Sequence, residues 1–145
     1  MSGDDRRAFL TRRQLLARGA CGFGSLPLLE QPTFQRDYGF HQSAIKSARL
    51  LAHRSFADIV AACQPGQPDA PRFDRVRTAM ADSAYAVRVA KSAVIWAWET
   101  SGSAGIRNPN KLQRCFRDIY VGAGHQVFDD RNFIEQAKQM MGLEL

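Results

Sequence analysis

Residues 111–125, KLQRCFRDIYVGAGH, gather the side chains of this chain best suited to chemistry. Arg114, Arg117 and Asp118 fall at helix spacings of three and four, so a helix places all three on one face. His125 follows Asp118 by seven positions, two helical turns, and projects the same way. A buried arginine–aspartate pair with an imidazole two turns beyond it would suit a site that faces a partner or cofactor. The same spacing equally fits a surface ion pair and a satisfied core histidine, and spacing alone leaves both readings open.

Several elements must hold that stretch in place. Ser101, Gly102, Ser103, Ala104 and Gly105 form a glycine-broken turn just before it, with Gly102 ending one helix and Gly105 loosening the loop. Asn108, Pro109 and Asn110 then restart the chain as a helix reaching Gly124. Upstream, Pro32 opens a long helix striped by Phe34, Tyr38, Ile45, Ala48, Ala52, Phe56, Ile59 and Cys63. Residues 64–71 carry three prolines and a glycine and break it. A second long helix follows, striped by Phe73, Val76, Met80, Ser83, Val87, Ala90, Val94 and Ala97, a rhythm that suits antiparallel packing. Trp96 and Trp98 end it on two faces, one towards the core and the other towards a second subunit or a missing domain. A last helix starts at Asp129 or Asp130, runs through Phe133, Ile134, Ala137, Met140 and Met141, and stops at Gly142. No segment alternates as a half-buried strand does. The expectation is an all-α, up-down antiparallel helical bundle.

Composition narrows the function classes. At 145 residues the chain holds one domain and a modest core. Its net charge of +6 permits an anionic partner, but basic residues are scattered among acidic ones and are not interleaved with aromatics. Nucleic-acid binding is therefore not expected. Cys21, Cys63 and Cys115, like His41, His53 and His125, are widely spaced, so neither a metal site nor a disulfide framework is indicated. No apolar run approaches the length of a membrane span.

The first 30 residues differ from the rest. Arg12 and Arg13, followed by a weakly apolar, glycine-rich stretch to Leu29, look like a twin-arginine export signal. Pro27 and the lack of a small-x-small cleavage site speak for a solvated leader instead. The organisation expected is a leader over residues 1–30 and a helical bundle over residues 31–145. The location expected is cytoplasmic, with export as the alternative.

The order Trp98-Glu99-Thr100-Ser101-Gly102, a short loop, Leu112-Gln113-Arg114-x-x-Arg117-Asp118 and His125 resembles the C-terminal helical domain of the acyl-CoA dehydrogenase superfamily. Upstream, residues 30–37, EQPTFQRD, resemble the start of that domain's second helix, so the likeness spans roughly residues 31–143. Within the superfamily, the chain is more similar to the reduced-flavin-dependent monooxygenases. Where the dehydrogenases carry a carboxylate base, this chain has His125 and Gln126, and a glutamine cannot abstract a proton.

The resemblance implies a homotetramer that holds a flavin, FMN or FAD, at a subunit interface. Gly102, Ser103, Ala104 and Gly105 would then approach a neighbouring subunit's flavin. His125 would act as acid/base or substrate-orienting group, supported by Arg114, Arg117 and Asp118. It also implies missing parts: an N-terminal helical domain, a central β-domain and the first helix of the bundle. The chain is then a fragment or subunit of a flavin-dependent oxidoreductase, inactive alone, whose partners are its own copies or a chain carrying those domains. The alternative is a non-catalytic helical oligomerisation or interaction module.

Overall fold

The computed structural model describes residues 28–66, 69–106 and 110–143. The leader expected over residues 1–30, with Arg12 and Arg13, therefore falls almost wholly outside the described residues. So does the question of a helix preceding the first long one.

Helix α1 spans Pro32–Ala62 and begins on a proline, whose missing N–H costs nothing in a first turn. Helix α2 spans Asp69–Ser101. The break before it is shorter than the prolines suggested, because Pro71 sits in the first turn of α2, where proline is tolerated. Gly66, at φ +85°, supplies the left-handed turn between the two helices. A single-turn helix α3, Ser103–Ile106, follows Gly102 at φ +55°. Then come α4, Lys111–Ala123, a 3-10 turn, Gln126–Phe128, and α5, Arg131–Met141, which ends on left-handed Gly142 at φ +67°. Among the described residues there is no strand, and the all-α expectation holds.

Contacts along α1 and α2 run in opposite order. Asp58 receives Arg75, Ser55 meets Asp82, and the rings of Phe34, Tyr38 and His41 surround Trp96. The pair is thus antiparallel. The same holds on the far side of α2, where Trp98 stacks on Phe116 at 4.6 Å and Lys91 lies over the Tyr120 ring at 4.4 Å. Helix α2 is the spine, with α1 on one flank and α4, the 3-10 turn and α5 strung along the other.

Among the described residues the buried apolar side chains are all alanines: Ala48, Ala62, Ala79, Ala81, Ala84 and Ala93. Large rings close the seam at its end rather than filling its centre. Phe34, Tyr38 and His41 lie 5.4, 6.3 and 5.0 Å from Trp96, and each aromatic pair adds about 1 kcal/mol beyond area burial.

Three expected core positions on α1 are exposed, Ile45, Phe56 and Cys63. Successive steps of four residues advance about 40° around a helix, which carries Phe56 past the seam. Ser55 takes the inner place, its hydroxyl bound to the Leu51 carbonyl at 3.1 Å and to the Asp82 carboxylate. On α2, Phe73 and Val76 are likewise exposed, because a helix covered on two flanks has no single buried stripe. Both tryptophans find partners within the chain, Trp96 on α1 and Trp98 on α4.

Candidate functional site

The Arg114–Asp118 pair forms as the spacing predicted, at 3.5 Å, but it is not buried. The two side chains are 80% and 68% exposed, so this is a surface ion pair of small energetic weight. Arg117 is exposed on the same helix. Of the two readings that the spacing left open, the structure shows the surface ion pair and not the buried one. An amphipathic helix of this length buries only its apolar side, and Leu112, Phe116 and Ile119 occupy it.

His125 is also placed differently. Helix α4 ends at Ala123 with Gly124 as its cap, so His125 lies beyond it, at φ −71° and ψ 137°. Two helical turns therefore do not align it with Asp118, whose carboxylate faces Arg114. The imidazole is exposed. Its Nδ1 accepts the Val127 N–H at 3.2 Å, capping the 3-10 turn. With Nδ1 acting as acceptor, the neutral ring carries its proton on Nε2, the side away from its own backbone. Phe128 is its ring neighbour, 6.1 Å between centroids.

Long-range contacts fix this turn, and the local sequence did not announce them. Arg88 of α2 reaches Asp130 at 2.6 Å and lies 4.8 Å over the Phe133 ring. Asn132 Nδ2 donates to the Val127 carbonyl at 2.7 Å, and the Phe128 N–H to the His125 carbonyl at 2.8 Å. Asp129 accepts the Arg131 N–H at 2.8 Å and opens α5. That hydrogen bond, with the Arg131 side chain beside it, holds the Asp129 carboxyl below the usual carboxylate range.

The turn at residues 102–105 is more ordered than a flexible loop. The Gly102 N–H donates to the Glu99 carbonyl at 3.4 Å and the Gly105 N–H to the Gly102 carbonyl at 3.1 Å. Gly105 is buried, and a Cβ there would collide with Ser101 Oγ, which itself donates to the Trp98 carbonyl at 2.7 Å. Close approach to Ser101, not looseness, is what requires glycine here. Gly102 and Ser103 are exposed, and Ala104 continues the single turn.

The two candidate regions stand apart. The turn at residues 102–105 precedes the start of α4, and His125 follows its end. A helix of 13 residues is about 20 Å long, so one chain does not bring them onto a single ring system. Within one chain these residues do not enclose a flavin; they offer contacts at two edges. Among the described residues no helix is long and apolar enough to cross a membrane, and no group of three His, Cys, Asp or Glu could hold a metal ion. A surface groove of about 370 Å³ lies elsewhere, on α2, lined by Arg88, Lys91, Ser92, Ile95, Trp96 and Glu99.

Neither the curated proteins nor the solved structures contain a match to this chain. A family model described as acyl-CoA dehydrogenase, C-terminal domain, matches residues 7–130. That span includes the whole of α1, α2 and α4, the turn at residues 102–105 and His125, and it reaches back into the N-terminal segment. With its antiparallel helices and most of its length inside the match, the chain belongs to the acyl-CoA dehydrogenase C-terminal domain family.

Proposed function

We propose that this chain is one part of a flavin-dependent oxidoreductase, nearer the monooxygenases than the dehydrogenases, and contributes edge contacts to a flavin held largely by other chains or domains. The observation that carries the reading is His125. It is exposed, held by its own backbone through Nδ1, and presents Nε2–H outward as a donor able to orient a substrate or flavin oxygen. The family of the chain is associated with flavin, and no carboxylate base stands beside His125 at Gln126. The exposed residues Gly102 and Ser103 supply a second edge, about 20 Å away along α4. One flavin would meet both only if two copies contributed one edge each, which accords with a homo-oligomer.

The second reading is an interaction module that kept the helices and lost the chemistry. The absence of an enclosed site among the described residues favours it. Mixing the purified full chain with FMN or FAD separates the two. Saturable quenching of flavin fluorescence, weakened by His125→Ala or by Gly102→Val, supports the oxidoreductase reading. A stable, colourless oligomer that leaves flavin fluorescence unchanged supports the module.

A further inference from the structure

His125 sits beside a turn too short to hold itself. Its Nδ1 accepts the Val127 N–H at 3.2 Å and its carbonyl the Phe128 N–H at 2.8 Å, so imidazole and 3-10 turn move as one piece. Three residues of 3-10 helix do not persist on their own hydrogen bonds. The turn is pinned from its far side by the start of α5. Asn132 Nδ2 donates to the Val127 carbonyl at 2.7 Å, and the Asp129 N–H to the Gln126 carbonyl at 3.2 Å. The turn is therefore only as fixed as α5 is.

Arg88 of α2 reaches that start. Its guanidinium meets the Asp130 carboxylate at 2.6 Å and lies 4.8 Å over the Phe133 ring, gripping α5 by a charge and by a ring face. The two neighbouring aspartates divide the work. Asp129 accepts the Arg131 N–H, whereas the Asp130 side chain makes no cap bond to α5 and turns to Arg88 instead. Helix α4 has its own seat on α2, Trp98 on Phe116 and Lys91 on Tyr120, so loss of Arg88 acts beyond Gly124. The family match ends at residue 130, and Asn132 and Phe133 lie outside it.

We propose that Arg88 is a positioning residue for His125. Acting through Asp130, Phe133 and Asn132, it holds the turn in which Nδ1 is an acceptor and Nε2–H points outward. Its part in the chemistry rests on the reading of His125 as that donor; Arg88 acts through the turn and not on the reacting atoms. The Arg88 and Asp130 side chains are 59% and 69% exposed, so the pair adds little to global stability. Its effect is on orientation. Without it the imidazole samples other directions, and its neutral ring takes both tautomers.

The test is nitrogen-15 magnetic resonance of the His125 ring and amide exchange at Val127 in the full, flavin-free chain. It is run at about pH 8, where an ordinary imidazole is neutral. The wild type shows the Nε2–H tautomer with Nδ1 as acceptor. Arg88→Gln shows mixed tautomers, and its Val127 amide exchanges about fivefold faster. Arg88→Lys keeps the wild-type pattern, because an ammonium group can still meet both Asp130 and the Phe133 face. Arg77→Gln, which removes an exposed ion pair to Asp74 elsewhere on α2, changes neither signal. Unchanged signals in Arg88→Gln, a change that Arg88→Lys does not recover, or an equal change in Arg77→Gln would overturn the proposal. Should Arg88→Gln lose helix by circular dichroism, Asp130→Asn decides. It opens the same bond from the other side, and unchanged signals there contradict the positioning role. No flavin is present, so this result stands apart from the flavin titration that tests the oxidoreductase reading.

Discussion

The α1–α2 seam and the α4 arm are built for different purposes. The seam buries alanines, satisfies Ser55 inside it and closes on three rings around Trp96. The arm rests on α2 through Trp98–Phe116 and Lys91–Tyr120 and leaves Arg114, Arg117, Asp118 and His125 in solvent. Residues that pack the fold and residues able to do chemistry are thus almost disjoint. The difference teaches that the seam can be read as structure and the arm as surface offered to something else. Substitutions in the two regions should then separate stability from function.

Trp96→Ala should have the largest effect, because it empties the centre of the ring cluster. A loss of about 3 kcal/mol is expected in urea unfolding followed by circular dichroism. An effect below that of Trp98→Ala would erase the contrast between seam and arm. Ser55→Ala comes next, at about 1–2 kcal/mol, because Asp82 and the Leu51 carbonyl lose their shared donor. A neutral result would mean that water replaces the hydroxyl and that the seam is wetter than its alanines imply.

On the arm, the stabilising role of Asp129 depends on pH. Its carboxyl is held below its ordinary value, first by the Arg131 N–H, so its help to α5 is complete above the usual carboxylate range. That help disappears as pH falls through the lowered value. Asp129→Asn should flatten this part of the acid unfolding curve, and an unchanged curve would remove the cap from the account. The smallest effect belongs to Arg114→Ala. Breaking an ion pair this exposed should change stability by less than about 0.5 kcal/mol. A larger loss in a double-mutant cycle with Asp118→Ala would show that the pair supports more than itself.

Much of the fold was legible in the sequence. Pro32, Gly66, Gly102, Asn110 and Gly142 punctuate the chain where the helices begin and end, since each acts through its own backbone or its nearest neighbours. Asn110 illustrates this, its side chain accepting the Leu112 N–H at 2.9 Å. Burial was harder to read. A stripe written on one helix cannot show that α2 is covered on two flanks, nor that Ser55 outranks Phe56 for an inner place. The site was least legible. His125 left the helical pattern because Gly124 ended α4 one residue earlier, and the contact that fixes its turn, Arg88 to Asp130, joins positions far apart in the chain. Pair spacing predicted the Arg114–Asp118 contact but carried no information on its depth.

Amide hydrogen exchange of the full chain, with and without saturating FMN, tests the central claim most directly. The account predicts slowed exchange at residues 102–105, at residues 125–128, or at both, with the amides of α1 unchanged. Slowing confined to α1 and α2, or identical exchange in the two samples, would contradict it.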